Sequence, residues 1–134
     1  MDKPILAALI VTRSTPLADG LIALLDAMPD IDGVSVVKSL EDAYEKIERE
    51  KPRILLLDLV VAEDQPEQWL ENIVSLSPET QRVLLVDDVQ HVRWMPQFAE
   101  AVLIKGVSPS AVAAIVTQLL FSKGDEHEHN DPNP

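Results

Sequence analysis

Apolar and polar positions along this 134-residue chain alternate in blocks: a short apolar run, then a stretch where apolar residues recur at helical spacing, five times over. Ile5 to Val11 is continuously apolar, the pattern of a strand covered on both faces. Thr15-Pro16 reads as an N-cap followed by proline at the first helical position, and Leu17, Leu21, Leu24, Leu25 and Met28 then mark one helix face. Pro29 to Gly33 is turn chemistry. Val34 to Val37, interrupted by Ser35, predicts an edge strand. Ser39 caps a second helix with Leu40, Ala43, Tyr44 and Ile47 inward, Glu41, Asp42, Glu45, Lys46 and Glu48 outward, and Pro52 as its stop. Ile54-Leu55-Leu56-Leu57 predicts a third strand, buried and ending in Asp58. A third helix starts between Asp64 and Pro66, with Trp69, Leu70, Ile73 and Val74 inward. Val83 to Val86 predicts a fourth strand ending in Asp87-Asp88. Val89 to Phe98 has room for two helical turns before Pro96 disturbs it. Ala101 to Ile104 predicts a fifth strand, running into Lys105-Gly106. Ser108-Pro109 then caps a last helix whose inward face is Val112, Ile115, Val116, Leu119 and Leu120.

Strands alternating with helices in this way predict an α/β fold, a parallel sheet with helices on both faces joined by right-handed crossovers. In such sheets chemistry gathers outside the carboxyl ends of the strands. The residues there are Thr12, Arg13, Asp58, Asp87, Asp88 and Lys105: carboxylates, an ammonium and a guanidinium on one rim. The expected organisation is one domain over residues 1–121 and a polar, proline-bearing, disordered acidic tail over 122–134. The initial Met and the polar ending suggest a whole chain rather than a fragment.

Composition narrows the function. The chain has no cysteine, which excludes disulfides, a thiolate nucleophile and thiolate metal sites. Eleven Lys and Arg against 23 Asp and Glu leave a formal charge of −12. Such a surface repels nucleic-acid phosphates and the anionic face of a membrane, and suits a partner with a basic patch. The longest apolar run falls far short of the ~20 residues that span a bilayer, and no signal peptide precedes it, so a cytoplasmic location is expected. No Gly-rich phosphate loop, Ser-His-Asp order or zinc-ligand spacing occurs, and an enzyme is not expected.

Two segments carry a likeness to a known family: Ile54-Leu55-Leu56-Leu57-Asp58-Leu59, and Leu103-Ile104-Lys105-Gly106-Val107-Ser108-Pro109. With the strand ends they make the chain, from about Ile5 to Phe121, resemble the receiver domain of bacterial two-component response regulators. The second segment is similar to receivers that carry a helix-turn-helix output domain. The resemblance implies a flavodoxin-like three-layer sandwich, a five-stranded sheet in the order 2-1-3-4-5. It places Asp58 at the phosphoacceptor position, taking a phosphoryl group from a histidine kinase, and Lys105 at the position that contacts that group. It also implies Mg²⁺ held by an acidic pair ending the first strand, by the acceptor aspartate and by the Val60 carbonyl. The chain departs from the family at several of these points. Thr12-Arg13 stands where the acidic pair belongs, and Val86 or Asp87 stands where a Ser or Thr belongs. Val102 replaces the switch aromatic, and Ala62 and Pro66 lie near the places of a usual Pro and Gly. The expectation is a degenerate pseudo-receiver that docks a protein partner, a histidine kinase or another signalling protein, with no cofactor.

Each candidate residue has a sharp and a bland role. Asp58 is either a phosphoacceptor or a strand-end carboxylate held by Lys105 and Arg13. Arg13 substitutes for the missing metal, or binds an anion or a phosphorylated partner. Asp87 and Asp88 are solvated loop carboxylates, or join Asp58 as a relocated cluster for a divalent ion. Trp94 and Phe98 form a partner-binding face, which would also serve homodimerisation, or fill the core. His91 is a lone histidine, and Asp125 to His129 is a solvated tail with at most weak metal affinity. Two other functions remain open: an active single-domain response regulator phosphorylated on Asp58 with Mg²⁺, and a small-molecule-binding or catalytic flavodoxin-like domain using Asp58, Asp87 and Lys105.

Overall fold

The computed structural model describes residues 7–62, 66–88 and 99–129, with the backbone alone for residues 66 and 122–129. Its strands are β1 (Ala7–Val11), β2 (Gly33–Val37), β3 (Ile54–Asp58), β4 (Gln81–Val86) and β5 (Ala101–Ile104). The helices described are α1 (Thr15–Asp26), α2 (Leu40–Glu50), α3 (Pro66–Leu76) and α4 (Pro109–His129). All four strand pairings are parallel and the order is β2-β1-β3-β4-β5, the order expected of the flavodoxin-like class. The sheet reverses direction of growth at β1 and β3, which places the carboxyl ends of those strands beside each other.

The continuous apolar runs are explained by the two cores they serve. Successive side chains of a strand point to opposite faces. Leu9, Val11, Leu55, Leu57, Leu84 and Val86 therefore pack under Ala43 and Ile47 of α2 and Leu70 and Ile73 of α3. Their neighbours Ala8, Ile10, Ile54, Leu56, Val83 and Leu85 pack under Leu21 and Leu25 of α1 and Val112, Val116 and Leu120 of α4. Alternation of polar and apolar residues would leave one of these faces wet; its absence in β3 is the mark of a central strand with helices on both sides.

Local chemistry sets the helix ends. Ser14, one residue before the expected Thr15, caps α1, because its Oγ accepts the Leu17 amide at 3.3 Å. Pro16 then falls in the first turn, where its missing N–H is not needed. Ser39 caps α2 through the Asp42 amide, and Ser108 caps α4 through the Ala111 amide. Lys51 ends α2 in the left-handed region, at φ 48°, and its ammonium caps α3 by donating to the Leu76 carbonyl at 2.7 Å.

Two expectations need correcting. Val74 does not face the core: it is 38% exposed, since Leu70 and Ile73 already span the inward stripe of α3. The half-buried Trp69 lies over Tyr44 of α2 instead, ring centroids 4.0 Å apart. The backbone of α4 also stays helical to His129, past Phe121, where composition suggested the folded part would stop. No proline interrupts that stretch, so a helix already nucleated by the core turns can propagate. Arg53 marks the last core turn by donating to the Leu120 carbonyl at 3.1 Å.

Leu56, fully buried at the centre of β3, tests this packing. Leu56→Ala should cost about 2–5 kcal/mol in denaturant unfolding, whereas Val74→Ala should change stability by less than about 0.5 kcal/mol.

Candidate functional site

Sheet register brings three strand ends together. Val11 pairs with Leu57, so Thr12, the next residue after β1, lies alongside Asp58, the last residue of β3. Asp58 pairs in turn with Leu85, just inside the end of β4, and Asp87 follows two residues later. Lys105 extends β5 by one residue, its amide donating to the Val86 carbonyl at 2.8 Å. Gly106 takes φ 96°, a conformation that side chains resist, and turns the chain away immediately after Lys105.

Asp58 is 3% exposed, and a carboxylate so far from water needs partners from the chain at both of its oxygens. Its Oδ2 accepts the Thr12 hydroxyl at 2.7 Å. Its Oδ1 accepts the Val60 amide at 3.3 Å and pairs with Lys105 Nζ at 2.6 Å. Thr12, 1% exposed, is itself fixed: its Oγ1 accepts the Ser14 amide at 3.1 Å while its proton goes to Asp58. The same turn that caps α1 therefore orients the hydroxyl at the site.

Lys105 also pairs with Asp87 Oδ1 at 3.1 Å, so one ammonium lies between two carboxylates. Burial disfavours its charge, but hydrogen bonds to Asp58 and Asp87, with their Coulombic attraction, outweigh that and raise its pKa above the ordinary 10.5. Asp87 is the wet end of this chain of charges, with its side chain 60% exposed.

The expected rim is thus assembled from Thr12, Asp58, Asp87 and Lys105, but Arg13 is not part of it. Arg13 is exposed, forms no ion pair with Asp58, and lines a separate cavity beside Lys38. The physical reason is the register: Thr12 already occupies the side of Asp58 that β1 can reach, and the next residue projects past it. The sequence marked Thr12 only as a missing acid; a hydroxyl ending a strand beside a carboxylate-ending strand was the available signal for a donor. Trp94, Phe98 and His91 lie outside the described residues, so the expected docking face does too.

Among the described residues no three His, Asp or Glu side chains gather in a way that could hold a metal ion. A cavity of about 160 Å³ opens beside the site between α1 and α4, lined by Leu17, Leu21, Leu85, Ile104 and Val112, with Lys105 at its edge. Its wall is apolar and presents no acid–base pair. No helix among the described residues is long and apolar enough to cross a membrane.

No family model matches the chain, and no curated protein matches its sequence. Solved structures do. A CheY-like response regulator receiver domain protein from Methanospirillum hungatei superposes with a TM-score of 0.79 at 19% identity, covering 92% of this chain and 99% of that one. A signal receiver domain from Vibrio parahaemolyticus gives 0.80 at 23% identity, covering 96% and 100%. A CheY-like receiver domain from Methylobacillus flagellatus gives 0.74 at 15% identity, covering 87% and 99%. The class defined by sheet order and by these likenesses is the CheY-like receiver fold.

Two measurements probe the site. Thr12→Val keeps the shape but removes a donor from a buried carboxylate, and should cost about 1–3 kcal/mol in chemical unfolding at neutral pH. For Lys105 the sign of the linkage is fixed by its raised pKa: its stabilisation is complete below 10.5 and is lost as pH climbs through the higher folded value. Lys105→Gln should therefore be less stable than wild type by a constant margin from neutral pH up to 10.5, the gap closing only beyond that value.

Proposed function

We propose that this chain is a receiver-like, phosphorylation-independent interaction module of two-component signalling, which docks a protein partner and is not an enzyme. The observation that carries this is that both oxygens of Asp58 already have partners in the chain, the Thr12 hydroxyl on Oδ2 and the Val60 amide and Lys105 ammonium on Oδ1. A phosphoacceptor must present a free oxygen to phosphorus and have the transferred charge neutralised, chiefly by Mg²⁺ and a lysine. The donor set does not fit that ion. Mg²⁺ needs hard oxygen ligands and near-octahedral space, yet the position between Asp58 and Asp87 is held by an ammonium. Thr12 and Arg13, where the family has carboxylates, offer one engaged hydroxyl and a repelling cation.

The same geometry supports docking. Neutralised without metal, Asp58 leaves the strand ends in one state, and the formal charge of −12 suits a basic face on a histidine kinase or another signalling protein. A second function, phosphoryl transfer to Asp58 in an active single-domain regulator, is favoured by one observation: Lys105 and the Val60 amide both lie against Asp58 Oδ1, a cation and an N–H donor beside the carboxylate that would accept the group.

Intact mass after incubation with Mg²⁺ and a small phosphodonor separates the two, with Asp58→Asn as control. The module should gain no phosphoryl mass. An adduct on wild type, absent from Asp58→Asn, would establish the active regulator instead.

A further inference from the structure

The cation that the site does not use has a place of its own. Val11 pairs with Val37, so Thr12 and Lys38 leave β1 and β2 side by side, and Arg13 follows. Arg13 and Lys38 line one cavity of about 250 Å³ at these strand ends, several times the ~30 Å³ that a water molecule occupies in the liquid. Neither forms an ion pair among the described residues, in a protein where acids outnumber bases by about two to one. Ile22 and Val36 supply an apolar wall, and Thr15 a hydroxyl. The one acid in the lining is Asp19.

We propose that this cavity binds a phosphate monoester. Arg13 offers a planar fork for two phosphate oxygens and Lys38 a mobile point charge, and together they match the ~1.5–2 negative charges of a monoester at neutral pH. Ile22 and Val36 take the organic body, and Asp19 weakens binding of ligands with further negative groups. The site goes beyond the docking function and does not depend on it: Thr12 separates the cavity from Asp58, its hydroxyl committed to the carboxylate. A free small phosphate and a phosphorylated side chain share this chemistry.

The test is an NMR titration of the ¹⁵N-labelled protein in magnesium-free buffer, with phenyl phosphate in one arm and a phosphoserine peptide in the other. Saturable shifts at Arg13–Thr15 and Val36–Lys38 are expected, and they should persist in Asp58→Asn. Arg13→Gln and Lys38→Gln, both at exposed positions, should each weaken binding by about tenfold or more. Shifts with phenyl phosphate alone assign a free ligand; shifts with the peptide assign a phosphorylated side chain. Absence of saturation in both arms, or shifts indifferent to Arg13→Gln and Lys38→Gln, would overturn the proposal.

Discussion

A carboxylate buried at the end of a central strand has to be neutralised where it stands, and in this protein that requirement organises everything around Asp58. Little of it meets water, and a buried charge left without its partner costs about 3–5 kcal/mol, a large part of a small domain's margin of stability. The fold answers with the ends of its other strands. β1 delivers the Thr12 hydroxyl, the turn after β3 delivers the Val60 amide, and β5 delivers the Lys105 ammonium. Asp87 shares that ammonium and carries the residual negative charge out to solvent.

What the strand ends can do follows from who holds the carboxylate. A site built to exchange a phosphoryl group keeps its acceptor partly free and lets a metal come and go. Here a hydroxyl and an ammonium belonging to the chain itself fill the oxygens, and the hydroxyl is locked by the turn that starts α1. Such a centre acts as a fixed joint between three strands. The acidic surface, and the cations at the ends of β1 and β2, lie outside this joint.

Most of the architecture was legible because burial on both faces writes itself as unbroken apolar runs. Ile54 to Leu57 could only be a covered strand, and Ser39 and Ser108 announced their helices. Ser14 was harder: Thr15 is an equally good cap by type, and only the reach of an oxygen to the Leu17 amide decides between them. At the site, Asp58 and Lys105 were readable from their places at strand ends, and so was their pairing. The role of Thr12 was not, since whether a hydroxyl or a neighbouring guanidinium reaches the carboxylate depends on register to within one residue. Charge alone leaves Arg13 two roles, a substitute for the metal at Asp58 or a binder of an anion or phosphorylated partner; the geometry carries it past Asp58, to Lys38, a residue no sequence pattern singles out.

The central claim is that Asp58 is neutralised by the chain and has no opening for a metal. Thermal unfolding at fixed ionic strength across a Mg²⁺ titration tests it most directly, because an ion that binds only the folded state must raise its stability with the logarithm of the ligand excess. The account predicts a melting temperature independent of Mg²⁺ and identical in its Mg²⁺ response for wild type and Asp58→Asn. A melting temperature that climbs steadily with the logarithm of Mg²⁺ in wild type, and does not in Asp58→Asn, would contradict it.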